Sequence, residues 1–222
     1  MSNAPLGLFG GTFDPIHFGH LRLAEEARSG LGLAQVIWIP AGQPPHRSSP
    51  QVSAQHRLAM VRLGIADNPG FTMDEGEAAS AAKSYTVTTL ARLRAQHGGA
   101  RPLVLLLGAD AFAGLATWHR WQELFALAHL AVATRPGHPL ESARWPQALQ
   151  SEFKRRQIAD PETLGQAAGG NIVAFTLTPL DISATAIRSA LAAGESARYL
   201  LPAAVLDYIA LHRLYQNPAT TH

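Results

Sequence analysis

Near the start of the chain, Phe9–Leu21 reads FGGTFDPIHFGHL. Gly10 and Gly11 strip side chains from a loop, so backbone N–H groups there can approach a ligand closely. His17 and His20 are three apart and share one face of a first helical turn. Each imidazole can donate a hydrogen bond to a phosphate oxygen, more readily as a neighbouring phosphate raises its pKa. The N-terminus of a helix starting near Phe18 adds unpaired N–H groups and a positive dipole end. Phosphate binding is the chemistry this combination fits.

Other readings fit less well. The glycines at 10, 11 and 19 do not make a GxGxxG fingerprint, and a Gly-Lys-Ser/Thr phosphate loop is missing. Zinc on His17 and His20 needs further ligands, and the chain has no cysteine. The absence of cysteine also excludes disulfides, iron–sulfur clusters and thiol nucleophiles. A tight turn with one satisfied histidine is the plain structural alternative, and two histidines after two glycines weigh against it.

A second constellation is Ile182–Arg188, ISATAIR. Ser183 and Thr185 are N-cap types, so a helix begins here. Arg188 then falls in the first turns, where a cation is locally unfavourable by roughly 0.3–1 kcal/mol. An anion between the guanidinium and the helix dipole resolves that conflict, and the two constellations together suggest a polyphosphate clamp.

These residues need elements to position them. Short apolar runs at Leu6–Phe9, Gln35–Pro40, Phe71–Asp74, Leu103–Leu107, Leu130–Thr134 and Ile172–Thr178 read as strands. Helical spacing appears at Leu21–Ser29, Ala54–Ala66, Val87–Gln96, Trp118–Ala126, Ala184–Ala193 and Leu201–Leu214. LVLLL is apolar throughout, as a central parallel strand covered on both faces must be. Alternating strands and helices predict an α/β fold: a Rossmann-like, doubly wound parallel sheet. Residues 5–215 are expected to form one domain, with about 180–215 as a small C-terminal helical part. The 137–170 stretch is the least regular and is expected to be peripheral. In such a sheet ligands bind beyond the carboxyl ends of the strands, and the loop at Gly10-Gly11 follows the first strand.

Composition agrees. The chain has 222 residues, 47% hydrophobic and 15% charged, enough for one sizeable core. The net charge of +2 is spread thinly, without the dense basic stripe of a nucleic-acid scaffold. No apolar run approaches the roughly 20 residues that span a bilayer, and no leader is evident. A soluble, cytoplasmic protein without nucleic-acid or membrane partners is the expectation. Oligomeric state, including a homo-oligomer, stays open.

GGTFDPIHFGH resembles the signature of nucleotidyltransferases with the (T/H)xGH motif, and its form is similar to that of the bacterial nicotinate mononucleotide adenylyltransferases. ISATAIR resembles the ISSTxIR motif of the same superfamily, with Ala184 for its second Ser. Ser84–Leu90, SYTVTTL, is similar to SYTxDTL, with Thr88 in place of the usual Asp. Either residue type can cap a helix, so the fold should tolerate the change.

The resemblance implies ATP and nicotinate mononucleotide as substrates, Mg²⁺ carried on the ATP phosphates, and a place in NAD biosynthesis. It also implies roles. His17 and His20 hold phosphates, with His20 nearest the transition-state charge, while backbone at Thr12 and Phe13 faces the α-phosphate. Gly10, Gly11, Gly19, Gly108, Asp110, Ile182, Ser183 and Thr185 belong to the ATP side, with Arg188 on the β- and γ-phosphates. On the other side, His46 and Arg47 reach the substrate phosphate and Tyr85-Thr86 line the pyridine pocket. Trp118 rather than Trp121 stacks on the pyridine ring, and Arg135 neutralises phosphate. A related adenylyltransferase acting on phosphopantetheine, and a non-catalytic dinucleotide sensor, are the rivals. The first usually has Thr where His17 stands and lacks the SYT segment; the second would not need both histidines.

Overall fold

The computed structural model describes residues 4–42, 49–80, 83–137 and 140–216. Seven strands form one sheet: β1 (Leu6–Gly11), β2 (Gln35–Pro40), β3 (Phe71–Met73), β4 (Leu103–Gly108), β5 (His129–Thr134), β6 (Gln157–Ile158) and β7 (Ile172–Thr176). Their order is β3-β2-β1-β4-β5-β7-β6, and every neighbouring pair is parallel. The chain winds outward from β1 to β3, then returns to β4 on the other side of β1. That reversal opens a crevice at the carboxyl ends of β1 and β4.

The period-two alternation of a strand explains why the central runs are apolar throughout. Leu103, Leu105 and Leu107 of β4 belong to one buried cluster, and Val104 and Leu106 to the other. Likewise Ile37 and Ile39 of β2 point to one face, and Val36 and Trp38 to the opposite one. Helices α1 (Phe18–Gly30), α2 (Ala54–Ile65), α7 (Ala184–Ala192) and α8 (Ala203–Leu211) supply Ala24, Ala27, Met60, Val61, Ile187, Val205 and Ile209 to the first layer. Helices α3 (Thr86–His97), α4 (Ala109–Ala113), α5 (Leu124–Leu127) and α6 (Gln147–Arg156) supply Val87, Leu90, Leu93, Phe112, Leu124, Phe125 and Leu149 to the second. Each fully buried large aliphatic side chain contributes about 1.5–3 kcal/mol. The fold is the doubly wound parallel α/β sheet expected. Among the described residues no helix is long and apolar enough to cross a membrane.

Several boundaries differ from expectation for identifiable reasons. Helix α1 starts at Phe18, as the histidine spacing implies and a turn before the apolar periodicity from Leu21, with His17 at its N-cap. The single helix expected over Trp118–Ala126 is broken, because Arg120 takes a left-handed φ of 53°. Only Leu124–Leu127 is α-helical there. The C-terminal helix begins at Ala203, after Pro202 at its N-cap, and stops at Leu211. The irregular stretch holds the ten-residue α6 and the edge strand β6, and Leu164 within it is fully buried.

Candidate active site

The loop between β1 and α1 divides the work of its two glycines. A Cβ on Gly10 would meet nothing within 4 Å, so that space faces the open crevice. A Cβ on Gly11 would stand 2.7 Å from the ring of Phe13. Gly11 therefore makes room for Phe13, whose own φ is 51°. The Phe13 ring sits edge-on to Phe9 at 5.5 Å and to His20 at 5.2 Å.

The two histidines also divide. His17 and His20 stack, with ring centroids 3.7 Å apart and planes inclined by 24°. His20 lines the crevice, whereas His17 lies behind it at 5% exposure. Burial pushes the His17 pKa down to about 4, so the ring is neutral at pH 7. Gly19 leaves room for this packing, because a Cβ there would stand 3.0 Å from His17 Nδ1.

The N-terminus of α1 offers less to an anion than the sequence suggests. The Phe18 N–H donates to the Leu200 carbonyl at 3.0 Å, and the His20 N–H turns back to His17 O at 2.9 Å. The helix end that faces the crevice is that of α7. Ser183 caps it, its Oγ accepting from the Ala186 N–H at 3.1 Å. Ala184, Thr185 and Arg188 then line the cavity wall. Ile182 and Ser183 build this terminus without lining the cavity. The Arg188 Nη1 donates to the Asp14 carbonyl at 2.7 Å, and its Nη2 to Thr185 Oγ1 at 3.4 Å.

His20 and Arg188, 168 positions apart in the chain, thus line one cavity of about 630 Å³. Gly10, Gly11, Thr12, Phe13, Gly108 and Asp110 share its wall. A second cavity of about 340 Å³ adjoins it and holds Tyr85 and Thr86. Gly10, Gly11, Thr12, Asp110 and Trp118 line both, so the two form one continuous crevice. Tyr85 is the N-cap of α3 and makes no side-chain cap. Thr88, expected as a possible cap, instead lies exposed in the first helical turn.

Glu77, Ser84 and His119 are among the polar side chains of the second cavity to which the sequence assigns no role. Glu77 accepts from Thr89 Oγ1 at 2.5 Å and bonds Ser84, while burial pushes its pKa up. It belongs to a DEGE run that reads as a solvated turn. His119 packs on Tyr85 with ring centroids 4.6 Å apart, and only its place beside Trp118 could have signalled it.

One expected residue, Arg135, is not gathered into the crevice. Arg135 lines a separate cavity of about 400 Å³ with Leu140 and Phe153, at the carboxyl ends of β5 and β7. His46 and Arg47 lie outside the described residues. Among the described residues no group of three or more His, Asp or Glu is placed to hold a metal ion.

Asp14 anchors the loop from beneath. Its carboxylate accepts from the Gln51 N–H at 2.8 Å and from the Tyr215 hydroxyl at 2.7 Å.

Comparison with known proteins agrees with this geometry. The cytidylyltransferase-like family model matches residues 8–190. A Dechloromonas aromatica protein named "Probable nicotinate-nucleotide adenylyltransferase" is 62% identical, over 96% of this chain and 98% of its own. One of the same name from Acidithiobacillus ferrooxidans is 49% identical over 96% of each. The solved structure of the Plasmodium falciparum nicotinic acid mononucleotide adenylyltransferase complexed with NaAD superposes with a TM-score of 0.69, covering 96% of this chain and 97% of that one. At 15% identity that likeness concerns the fold. The chain belongs to the cytidylyltransferase-like family, among its nicotinate-nucleotide adenylyltransferases.

Proposed function

We propose that this protein transfers the adenylyl group of ATP to the phosphate of nicotinate mononucleotide, giving nicotinate adenine dinucleotide and pyrophosphate on the way to NAD. The observation that carries this reading is the continuity of the two cavities through Gly10–Thr12, Asp110 and Trp118. One cavity offers an imidazole, a guanidinium and a helix N-terminus, which suit a triphosphate. The other offers Tyr85, Trp118 and His119 around a small floor, which suits a flat heteroaromatic ring.

No protein nucleophile is needed. A substrate phosphate oxygen attacks the α-phosphorus, the bond to the bridging oxygen breaks, and pyrophosphate leaves with its electron pair. The protein positions the two phosphates and neutralises charge. His20 donates toward the oxygens around the α-phosphorus. Arg188 and the α7 terminus receive the β- and γ-phosphates. Backbone at Thr12 and Phe13 borders the reacting centre. His17 supports the His20 ring by stacking. ATP enters as its Mg²⁺ complex, the ion carried by phosphate oxygens and water. Tyr85 and Thr86, at the start of α3, present backbone N–H groups to the nicotinate carboxylate, and Trp118 stacks on the ring. We place the reaction in the cytoplasm, where ATP is at hand.

Pyrophosphate release with ATP and one acceptor at a time tests the reading. Nicotinate mononucleotide should give the fastest turnover, its amide slower turnover, and phosphopantetheine none. Turnover with phosphopantetheine alone, or with no acceptor, overturns it.

A further inference from the structure

Arg57 lies on α2, lines neither cavity and is 1% exposed. Its Nη1 donates to the carbonyl of Thr12 at 2.8 Å, and its Nη2 to the carbonyl of Gly42 at 3.0 Å. A charge this deeply buried persists only when paired and hydrogen-bonded, and Asp14 supplies the opposing charge. The two carbonyls belong to different loops. Thr12 borders both cavities. Gly42 follows Ala41, which lines the second cavity and donates its N–H to Gly11 O at 2.8 Å.

Gly42 is held from both sides. Its carbonyl takes the Arg57 bond, and its N–H donates to Ser84 Oγ at 3.2 Å. The fit is close, since a Cβ on Gly42 would stand 2.2 Å from the Glu77 carbonyl. Ser84 in turn precedes Tyr85 and lines the second cavity. A continuous path of hydrogen bonds therefore runs from the phosphate loop, through one guanidinium, to the start of α3.

We propose that Arg57 is a positioning residue for adenylyl transfer. Its forked donation fixes the separation between the loop at the α-phosphate and the loop that enters the mononucleotide cavity, and so the distance between the two reacting phosphates. The inference rests on the reaction assigned above. In-line attack is sensitive to such spacing, and a displacement of about 1 Å can lower the rate by about 10². A guanidinium donates two bonds in a fixed plane, whereas an ammonium concentrates its charge at one point. Arg57→Lys keeps the charge and loses the fork. Ser84→Ala frees the same glycine from its other side.

The test compares the wild type with these two variants. Pyrophosphate release with ATP and nicotinate mononucleotide gives kcat. Tryptophan fluorescence titration gives Kd for each substrate alone, and thermal unfolding checks the fold. Arg57→Lys should lower kcat by about ten- to a hundredfold, with each Kd within about threefold of wild type. Ser84→Ala should lower kcat in the same direction by a smaller factor. A folded Arg57→Lys with kcat within threefold of wild type overturns the proposal, as does a loss explained wholly by weaker binding of one substrate. Should Arg57→Lys fail to fold, Ser84→Ala decides: lower kcat at unchanged Kd supports the proposal, and unchanged kcat overturns it. Wild-type protein that forms no dinucleotide brings down the assigned reaction and the positioning role with it. An active wild type with an equally active Arg57→Lys brings down the positioning role alone.

Discussion

The Tyr215 hydroxyl donates to the Asp14 carboxylate at 2.7 Å, joining residues 201 positions apart. Asp14 thereby ties the phosphate loop to the last described residues of the chain, while its carbonyl receives Arg188. Burial and the neighbouring carboxylate both hold the Tyr215 phenol in its protonated form. Tyr215→Phe leaves a buried carboxylate oxygen without its donor, and should lower stability by about 1–3 kcal/mol. Urea unfolding at pH 7 measures the change; a midpoint equal to wild type would show that water replaces the hydroxyl at no cost.

His20→Ala should keep the fold, since the residue stands at the cavity wall rather than in the core. Turnover should fall by about 10²–10³, the usual effect of deleting one donor to transition-state charge. Initial rates of pyrophosphate release, beside a circular dichroism spectrum, check both statements.

Stability should fall on acidification, and His17 gives the sign. Unfolded, it titrates near 6.5; folded, burial holds it at about 4. The unfolded state therefore binds more protons between these values, so stability is complete above about pH 6.5 and declines as pH falls toward 4. The whole difference is worth about 3 kcal/mol. Buried His129, whose pKa is also pushed down by burial, acts with the same sign. His17→Gln should flatten the profile when unfolding midpoints are compared at pH 7, 6 and 5.

Trp118 borders both cavities, and the smaller one also holds Tyr85 and His119, whose rings pack 4.6 Å apart. Trp118→Ala should weaken the pyridine mononucleotide more than ATP, by the loss of stacking worth about 0.5–1.5 kcal/mol together with its buried area. Separate calorimetric titrations with the two ligands check this, and equal losses would remove the stacking role.

Local signals were legible and long-range partners were not. The LVLLL run announces a strand buried on both faces, because no polar residue interrupts either side. Ser183 announces a helix start, and it does cap α7. His17 at the α1 N-cap is not a residue type that marks a helix start, so apolar periodicity marks that helix only from Leu21, and the histidine spacing is what points to Phe18. Arg57 sits among exposed-looking α2 positions, and only the approach of Thr12 and Gly42 reveals its role. Arg135 ends a strand as Asp110 nearly does, yet β5 lies one strand further from the switch point, and its end opens on another cavity. Spacing along the chain carries no information about such pairings, which tertiary packing alone decides.

The outermost strands of the sheet, β3 and β6, are three and two residues long. Each leaves only a brief row of backbone donors and acceptors at its rim. A neighbouring molecule finds almost no ladder there to lengthen, so concentrated protein is guarded against edge-to-edge stacking into fibres.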